Sequence, residues 1–162
     1  MQIMVVTHGR HKREGLDGKG YDGPLLQEAK EKVRGIKIPK VDAVFCGEMR
    51  RHRETAEAMG LKEVNFTKAC GWDGSMFAML EGDKKPVLEF RQWIEDMKEK
   101  GYRKLLIITS RGYAIMLKYL IEGGEKRFGP FGHFLKTIEA ASRWPNSTIH
   151  LMEPGVAHNF DI

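Results

Sequence analysis

The chain has 162 residues, 41% hydrophobic and 30% charged. That balance predicts a single globular domain over residues 1–162 and excludes a disordered or low-complexity protein. The formal net charge of +5 points to an anionic ligand or to nucleic acid. No apolar run approaches the roughly 20 residues of a membrane span, and no basic segment precedes the first apolar stretch. Cys46 and Cys70 lack metal-ligand spacing. The expectation is a cytoplasmic protein with reduced thiols, no membrane partner, and no metal or cofactor.

The elements follow from periodicity and punctuation. The apolar run Met1–Val6 predicts a buried first strand over residues 2–6, followed by a charged, glycine-rich loop from Gly9 to Gly23. Pro24 opens a helix that runs to about Val33 and stops at Gly35. Asp42–Cys46 is a short apolar strand ending at Gly47, and a helix spans residues 49–59 up to Gly60. Residues 64–66 are a weak third strand. The glycine-rich stretch 68–85 has no clear period and reads as a loop with at most one helical turn. Pro86 opens a helix in which Val87, Phe90, Ile94 and Met97 recur at helical spacing. Leu105–Ile108 is a strong strand. A helix from about Tyr113 to Ile121 follows, ended by Gly123-Gly124, and another covers residues 131–142. Residues 147–152 read as the last strand. Alternating strands and helices, with continuous apolar strands, predict a three-layer α/β/α fold around a mostly parallel sheet.

In such a sheet, ligands bind at the carboxyl ends of the strands, and the chemistry-bearing residues cluster there. The first strand delivers His8, followed by Gly9 and the basic run Arg10-His11-Lys12-Arg13. The second delivers Gly47-Glu48-Met49-Arg50-Arg51-His52-Arg53-Glu54-Thr55-Ala56. The fourth ends Thr109-Ser110-Arg111-Gly112. Arginines in a first helical turn oppose the positive end of the helix dipole, which an anion bound there offsets. These basic clusters are not interleaved with aromatics and no nucleic-acid module is recognisable, which places nucleic acid behind a phosphorylated ligand.

The segment Thr7-His8-Gly9 resembles the Arg-His-Gly opening of the histidine phosphatase (phosphoglycerate mutase-like) superfamily. The run from Gly47 to Ala56 resembles its second signature, with Met49 for leucine and Glu54 for glutamine. Asp22-Gly23-Pro24-Leu25-Leu26 is similar to its Asp-x-Pro-Leu-Thr segment, Ser110-Arg111-Gly112 to its Ser-His-Gly, and Trp144-Pro145-Asn146 to its turn into the closing strand. The resemblance implies the phosphoglycerate mutase-like fold and a phosphatase acting through a phosphohistidine on His8. Arg51 stands in the place of the phosphate-binding arginine. Two departures matter: Thr7 replaces an arginine, and Arg111 replaces the second histidine. The catalytic set implied is His8, Arg51 and Arg111, and the phosphate-binding set is Thr7, Gly9, Arg10, Arg51 and Arg111. Nearby guanidiniums favour the neutral imidazole that a nucleophile needs. Asp73 and Glu81 are the candidate general acids.

The substrate expected is a small phosphorylated molecule or a phosphoprotein. The alternative is a catalytically degenerate relative, a pseudoenzyme that binds such a ligand without turnover. Arg111 can clamp phosphate oxygens, but it cannot give up a proton in water. Among the other histidines, His11 and His52 are expected at the pocket rim. His133 is a candidate to replace the lost imidazole, and His150 is a sheet residue. Trp93 is expected in the core, and Trp72 and Trp144 in loops near the pocket. The oligomeric state is not legible.

Overall fold

The computed structural model describes residues 1–11, 23–72, 74–140 and 155–162. In chain order the elements are β1 (Gln2–Thr7), α1 (Gln27–Arg34), β2 (Ala43–Cys46), α2 (Arg50–Ala58), β3 (Asn65–Phe66), a 3-10 turn at Lys68–Cys70, and α3 (Ser75–Leu80). There follow α4 (Lys85–Glu99), β4 (Lys104–Thr109), α5 (Arg111–Ile121), α6 (Gly124–Phe128), α7 (Phe131–Ala140) and β5 (Ala157–Asp161).

The strands form one sheet in the order β3-β2-β4-β1-β5. The first four run parallel, and β5 closes the β1 edge antiparallel. Side chains alternate across the sheet, so each apolar strand feeds two cores. Ile3, Val5, Leu105 and Ile107 face α4, α5 and α7, where Phe90, Trp93, Tyr113, Met116 and Leu135 pack. Met4, Val6, Val44, Cys46, Leu106 and Ile108 face Ala56 of α2, beside which α1 packs. This is the expected three-layer α/β/α arrangement, and burial on both faces explains why the central strands are apolar without alternation. No described helix is long and apolar enough to cross a membrane.

The stretch 68–85 holds more structure than a loop: the 3-10 turn, α3 and the start of α4. The strand expected at 147–152 lies outside the described residues, as do Trp144 and His150.

What positions the site is the pairing of β1 with β4. Thr7 lies opposite Thr109, and the His8 amide donates to the Thr109 carbonyl at 2.9 Å. Cys46 lies opposite Ile108, and the Gly47 amide donates to the Ile108 carbonyl at 3.0 Å. His8, Gly47 and Ser110 therefore leave three adjacent parallel strands at the same end.

Candidate active site

His8 sits at the carboxyl end of β1 with its backbone fully engaged. Its carbonyl accepts from the Gly155 amide at 3.2 Å. Its ring Nδ1 lies 2.8 Å from the Gly9 carbonyl oxygen. A carbonyl only accepts, so Nδ1 carries the hydrogen. On the other side of the ring, Arg51 Nε donates to His8 Nε2 at 3.1 Å. A guanidinium only donates, so Nε2 carries the lone pair. The two partners thus fix one tautomer and one ring orientation. Burial, then the charge of Arg51, push the His8 pKa down to about 3 against the opposing pull of the Gly9 carbonyl, with His11 adding a smaller depression. The imidazole is neutral at physiological pH, with Nε2 basic and aimed at a cation.

Arg51 is brought there by α2, whose first two residues are Arg50 and Arg51 and whose N-cap, Met49, has no side-chain cap. Arg51 is only 7% exposed. Its neighbours turn elsewhere. Arg50 Nε donates to Glu54 Oε1 at 2.8 Å, and Arg53 donates to the Glu48 carbonyl while its guanidinium lies over the Phe66 ring. Of the three arginines at 50, 51 and 53, Arg51 is the one on His8. Glu54 serves the structure: its Oε2 accepts the Leu25 amide at 2.6 Å, tying the segment after the basic loop to α2.

Arg111 opens α5 after Ser110. It is exposed, two residues past the carbonyl that holds the His8 amide. Arg10 is exposed beside Gly9, and its carbonyl accepts the Leu26 amide at 3.0 Å. Both are exposed residues that follow the carboxyl ends of neighbouring strands, β1 and β4. Thr7 differs: it is 1% exposed, with its hydroxyl on the Val156 carbonyl at 3.5 Å. It therefore offers no surface to a ligand.

His52, expected at the rim, is fully buried. Its ring lies 5.4 Å from that of His8 between centroids, in a slot made by two glycines. A Cβ on Gly47 would lie 2.2 Å from His52 Nδ1, and one on Gly71 would lie 3.1 Å from its Cε1. Neither ring nitrogen makes a well-formed hydrogen bond. Burial, followed by His8, Arg51 and His11, holds its pKa well below the usual value against a weak pull from the Gly47 backbone. The His11 ring lies 5.3 Å from that of His8 between centroids and nearly perpendicular to it, with its Nε2 buried. Nothing in the local sequence marks His52 as buried. The signal lay in Gly47 and Gly71, whose missing Cβ atoms leave room for a ring.

The remaining candidates scatter. Asp73 lies outside the described residues. Glu81 and His133 line a cavity of about 870 Å³ bounded by Val87, Leu120, Phe131 and Ile162, whose lining includes none of His8, Arg51 or Arg111. Trp72 lines a separate hollow with Glu48 and Lys68, while Trp93 is in the core. Cys46 and Cys70 are free and buried, and burial pushes the Cys46 thiol up to about 12. Among the described residues no group of three or more His, Cys, Asp or Glu side chains is arranged to hold a metal ion.

No family model matches this sequence, and no curated protein is similar to it in sequence. Solved structures are similar in fold. The α-ribazole phosphatase from Shigella flexneri superposes with a TM-score of 0.62 at 16% identity, over 100% of this chain and 91% of that one. The product of open reading frame Rv3214 from Mycobacterium tuberculosis gives 0.65 at 12% identity, over 99% and 91%. Phosphoglycerate mutase from Thermus thermophilus gives 0.50 at 19% identity, over 68% and 78%. The chain has a phosphoglycerate mutase-like fold, the fold that the resemblance of its strand-end motifs implies.

Proposed function

We propose that this protein is a phosphomonoesterase that works through a phosphorylated His8. The observation that carries the reading is the fixed imidazole. Nδ1–H is anchored on the Gly9 carbonyl, and the Nε2 lone pair faces the Arg51 guanidinium. A nucleophile needs a neutral ring with one nitrogen free of hydrogen and aimed at an electrophile. A phosphate needs fixed positive charge around it, because phosphoryl transfer rests mainly on positioning and electrostatic stabilisation.

In this reading the phosphate of a small phosphorylated molecule or a phosphoprotein draws Arg51 off Nε2 and takes its charge-assisted hydrogen bonds. Arg111 and Arg10 approach from the rim. Nε2 attacks phosphorus, the leaving oxygen departs, and water then cleaves the Nε2–phosphorus bond to release phosphate. The Gly9 carbonyl holds Nδ1–H throughout and so keeps Nε2 the reactive atom. The phosphatase among the structural neighbours supports a phosphomonoester as the substrate class.

A second reading is favoured by the same hydrogen bond. If Arg51 does not leave Nε2, the site holds an anion at its mouth without turnover. Hydrolysis of p-nitrophenyl phosphate from about pH 5 to 8, against a His8→Ala control, separates the two. Turnover lost in the control supports the enzyme. Calorimetric binding of inorganic phosphate, with no turnover above the control, supports the binder.

A further inference from the structure

We propose that His52 is a positioning residue of this site: its buried ring holds the His8 imidazole facing phosphorus once Arg51 has moved onto the phosphate. The inference rests on the phospho-His8 reading above. In the free site two hydrogen bonds orient the His8 ring, one from Nδ1 to the Gly9 carbonyl and one from Arg51 to Nε2. The proposed reaction requires the second to break. The one that remains, at Nδ1, is a pivot about which Nε2 can swing. Attack needs Nε2 roughly 3–3.5 Å from phosphorus and aligned with it. What holds the ring at that moment has to be a packed neighbour rather than a donor.

His52 has the properties of that neighbour. Its ring centroid lies 5.4 Å from that of His8, with the two planes tilted by 43°. It is fully buried and its ring nitrogens make no well-formed hydrogen bond, so it acts by shape. It also has a rigid backing. Its Nδ1–Cε1 edge meets main chain at two glycines, where an added Cβ would lie 2.2 Å (Gly47) and 3.1 Å (Gly71) from ring atoms. Both stretches of main chain are anchored. The Gly47 amide donates to the Ile108 carbonyl at 3.0 Å, the Gly71 amide donates to the Lys68 carbonyl at 3.0 Å, and the Gly71 carbonyl accepts from the Glu48 amide at 3.1 Å. The other ring beside His8, that of His11, belongs to a partly exposed residue in the turn after β1, whereas His52 is carried by a helix.

Arg51 and His52 are consecutive in α2, yet they are held separately. The Thr55 hydroxyl donates to the Arg51 carbonyl at 2.7 Å, and Glu54 ties the same turn of α2 to Leu25. Neither bond involves the His52 ring. Loss of that ring therefore leaves the phosphate-binding guanidinium in place and frees the nucleophile.

The test separates placement from binding. His52→Ala is expected to lower kcat for p-nitrophenyl phosphate by roughly a hundredfold, the cost of a small misplacement of a reacting atom. Its affinity for inorganic phosphate, read by calorimetry, is expected to match that of the unsubstituted protein. His52→Gln keeps polarity without a ring and carries the same expectation where the alanine cavity unfolds the chain. His52→Phe keeps a flat ring without nitrogens and is expected to recover part of the lost kcat. A second readout needs no turnover: in NMR relaxation of the phosphate-saturated protein, the Cδ2–H order parameter of His8 is expected to fall to the flexible range, below about 0.6, in His52→Ala or His52→Gln alone. Unchanged kcat and ring order in these variants, or equal losses of kcat and phosphate affinity, overturn the positioning role and leave His8 as nucleophile. Absence of turnover by the unsubstituted protein overturns the phospho-His8 reading, and the order parameter then still decides whether His52 holds the His8 ring.

Discussion

Arg51 Nε donates to the lone pair of His8 Nε2 at 3.1 Å, so one hydrogen bond both orients the imidazole and covers the atom that would accept phosphorus. In the proposed reaction, anion binding and exposure of Nε2 are then a single event. Arg51→Ala is expected to weaken inorganic phosphate binding by roughly tenfold to a hundredfold, the range of a lost charge-assisted hydrogen bond of about 1.5–3 kcal/mol. Arg51→Lys is expected to recover part of it, keeping the charge but losing the fork. Titration calorimetry reads both, and unchanged affinity in Arg51→Ala would remove the residue from the site.

Acid sensitivity follows from the same pair of rings. The fold pushes His8 from 6.5 to about 3 and His52 well below 6.5. Between those values the unfolded chain binds protons that the folded chain refuses, so this stability is complete above about pH 6.5 and is lost as pH falls toward 3. Urea midpoints should stay level at neutral pH and decline below it. The decline should flatten in His8→Asn and in His52→Gln, and an unaltered slope in both variants would assign it to other groups.

Gly47 is required by the imidazole beside it. A methyl group there would lie 2.2 Å from His52 Nδ1 and 2.8 Å from the Cys70 carbonyl oxygen. Gly47→Ala is expected to cost about 1–3 kcal/mol, as overpacking of a filled site does. Removing the ring in Gly47→Ala/His52→Ala should return only part of that, because the backbone clash persists. Thermal denaturation of the two variants checks both statements, and full additivity of the two substitutions would contradict the shared slot.

Glu54 should matter to stability through its acceptor oxygen. Glu54→Ala leaves the Leu25 amide without its 2.6 Å partner, an expected loss of about 1–3 kcal/mol. Glu54→Gln keeps an acceptor and should lose less. The ion pair with the half-exposed Arg50 adds little, on the order of 0.3–0.5 kcal/mol. Equal destabilisation by the two substitutions would point to the ion pair instead.

Glu81 tests the reach of the site. It lines the cavity with His133 and Ile162, whose lining includes none of His8, Arg51 or Arg111, so Glu81→Gln should leave kcat/KM for an alkyl phosphate such as glycerol phosphate within about twofold, where loss of a general acid would lower it by roughly 10²–10⁴-fold.

The central sheet was legible because its strands are apolar on both faces. Val5-Val6, Val44-Phe45 and Leu105–Ile108 announce themselves without any knowledge of their partners. β5 was not. Ala157-His158-Asn159-Phe160-Asp161 pairs with β1 on one side only, and its residues are partly or fully exposed, so neither an apolar run nor a clean alternation marks it. α6, five residues with Phe128 alone as a large apolar side chain, is too short to show a period. At the site, His8 and Arg51 were legible because each follows the end of a recognisable strand. The burial of His52 and the closeness of His11 to His8 were not. The first depends on which strand ends become neighbours, set by β4 inserting between β1 and β2, and the second on the turn after β1, where His11 bridges to Leu25.

The edge strand also determines where anything attached to this protein would point. Met1 and Ile162 exchange backbone hydrogen bonds, the Met1 amino group donating at 2.8 Å and the Ile162 amide at 2.9 Å. They do so at the opposite pole of β1 from His8, separated by the six residues of that strand, about 20 Å of extended chain. A tether, surface linkage or fused partner joined at either residue would therefore hold the molecule with its strand-end mouth facing outward.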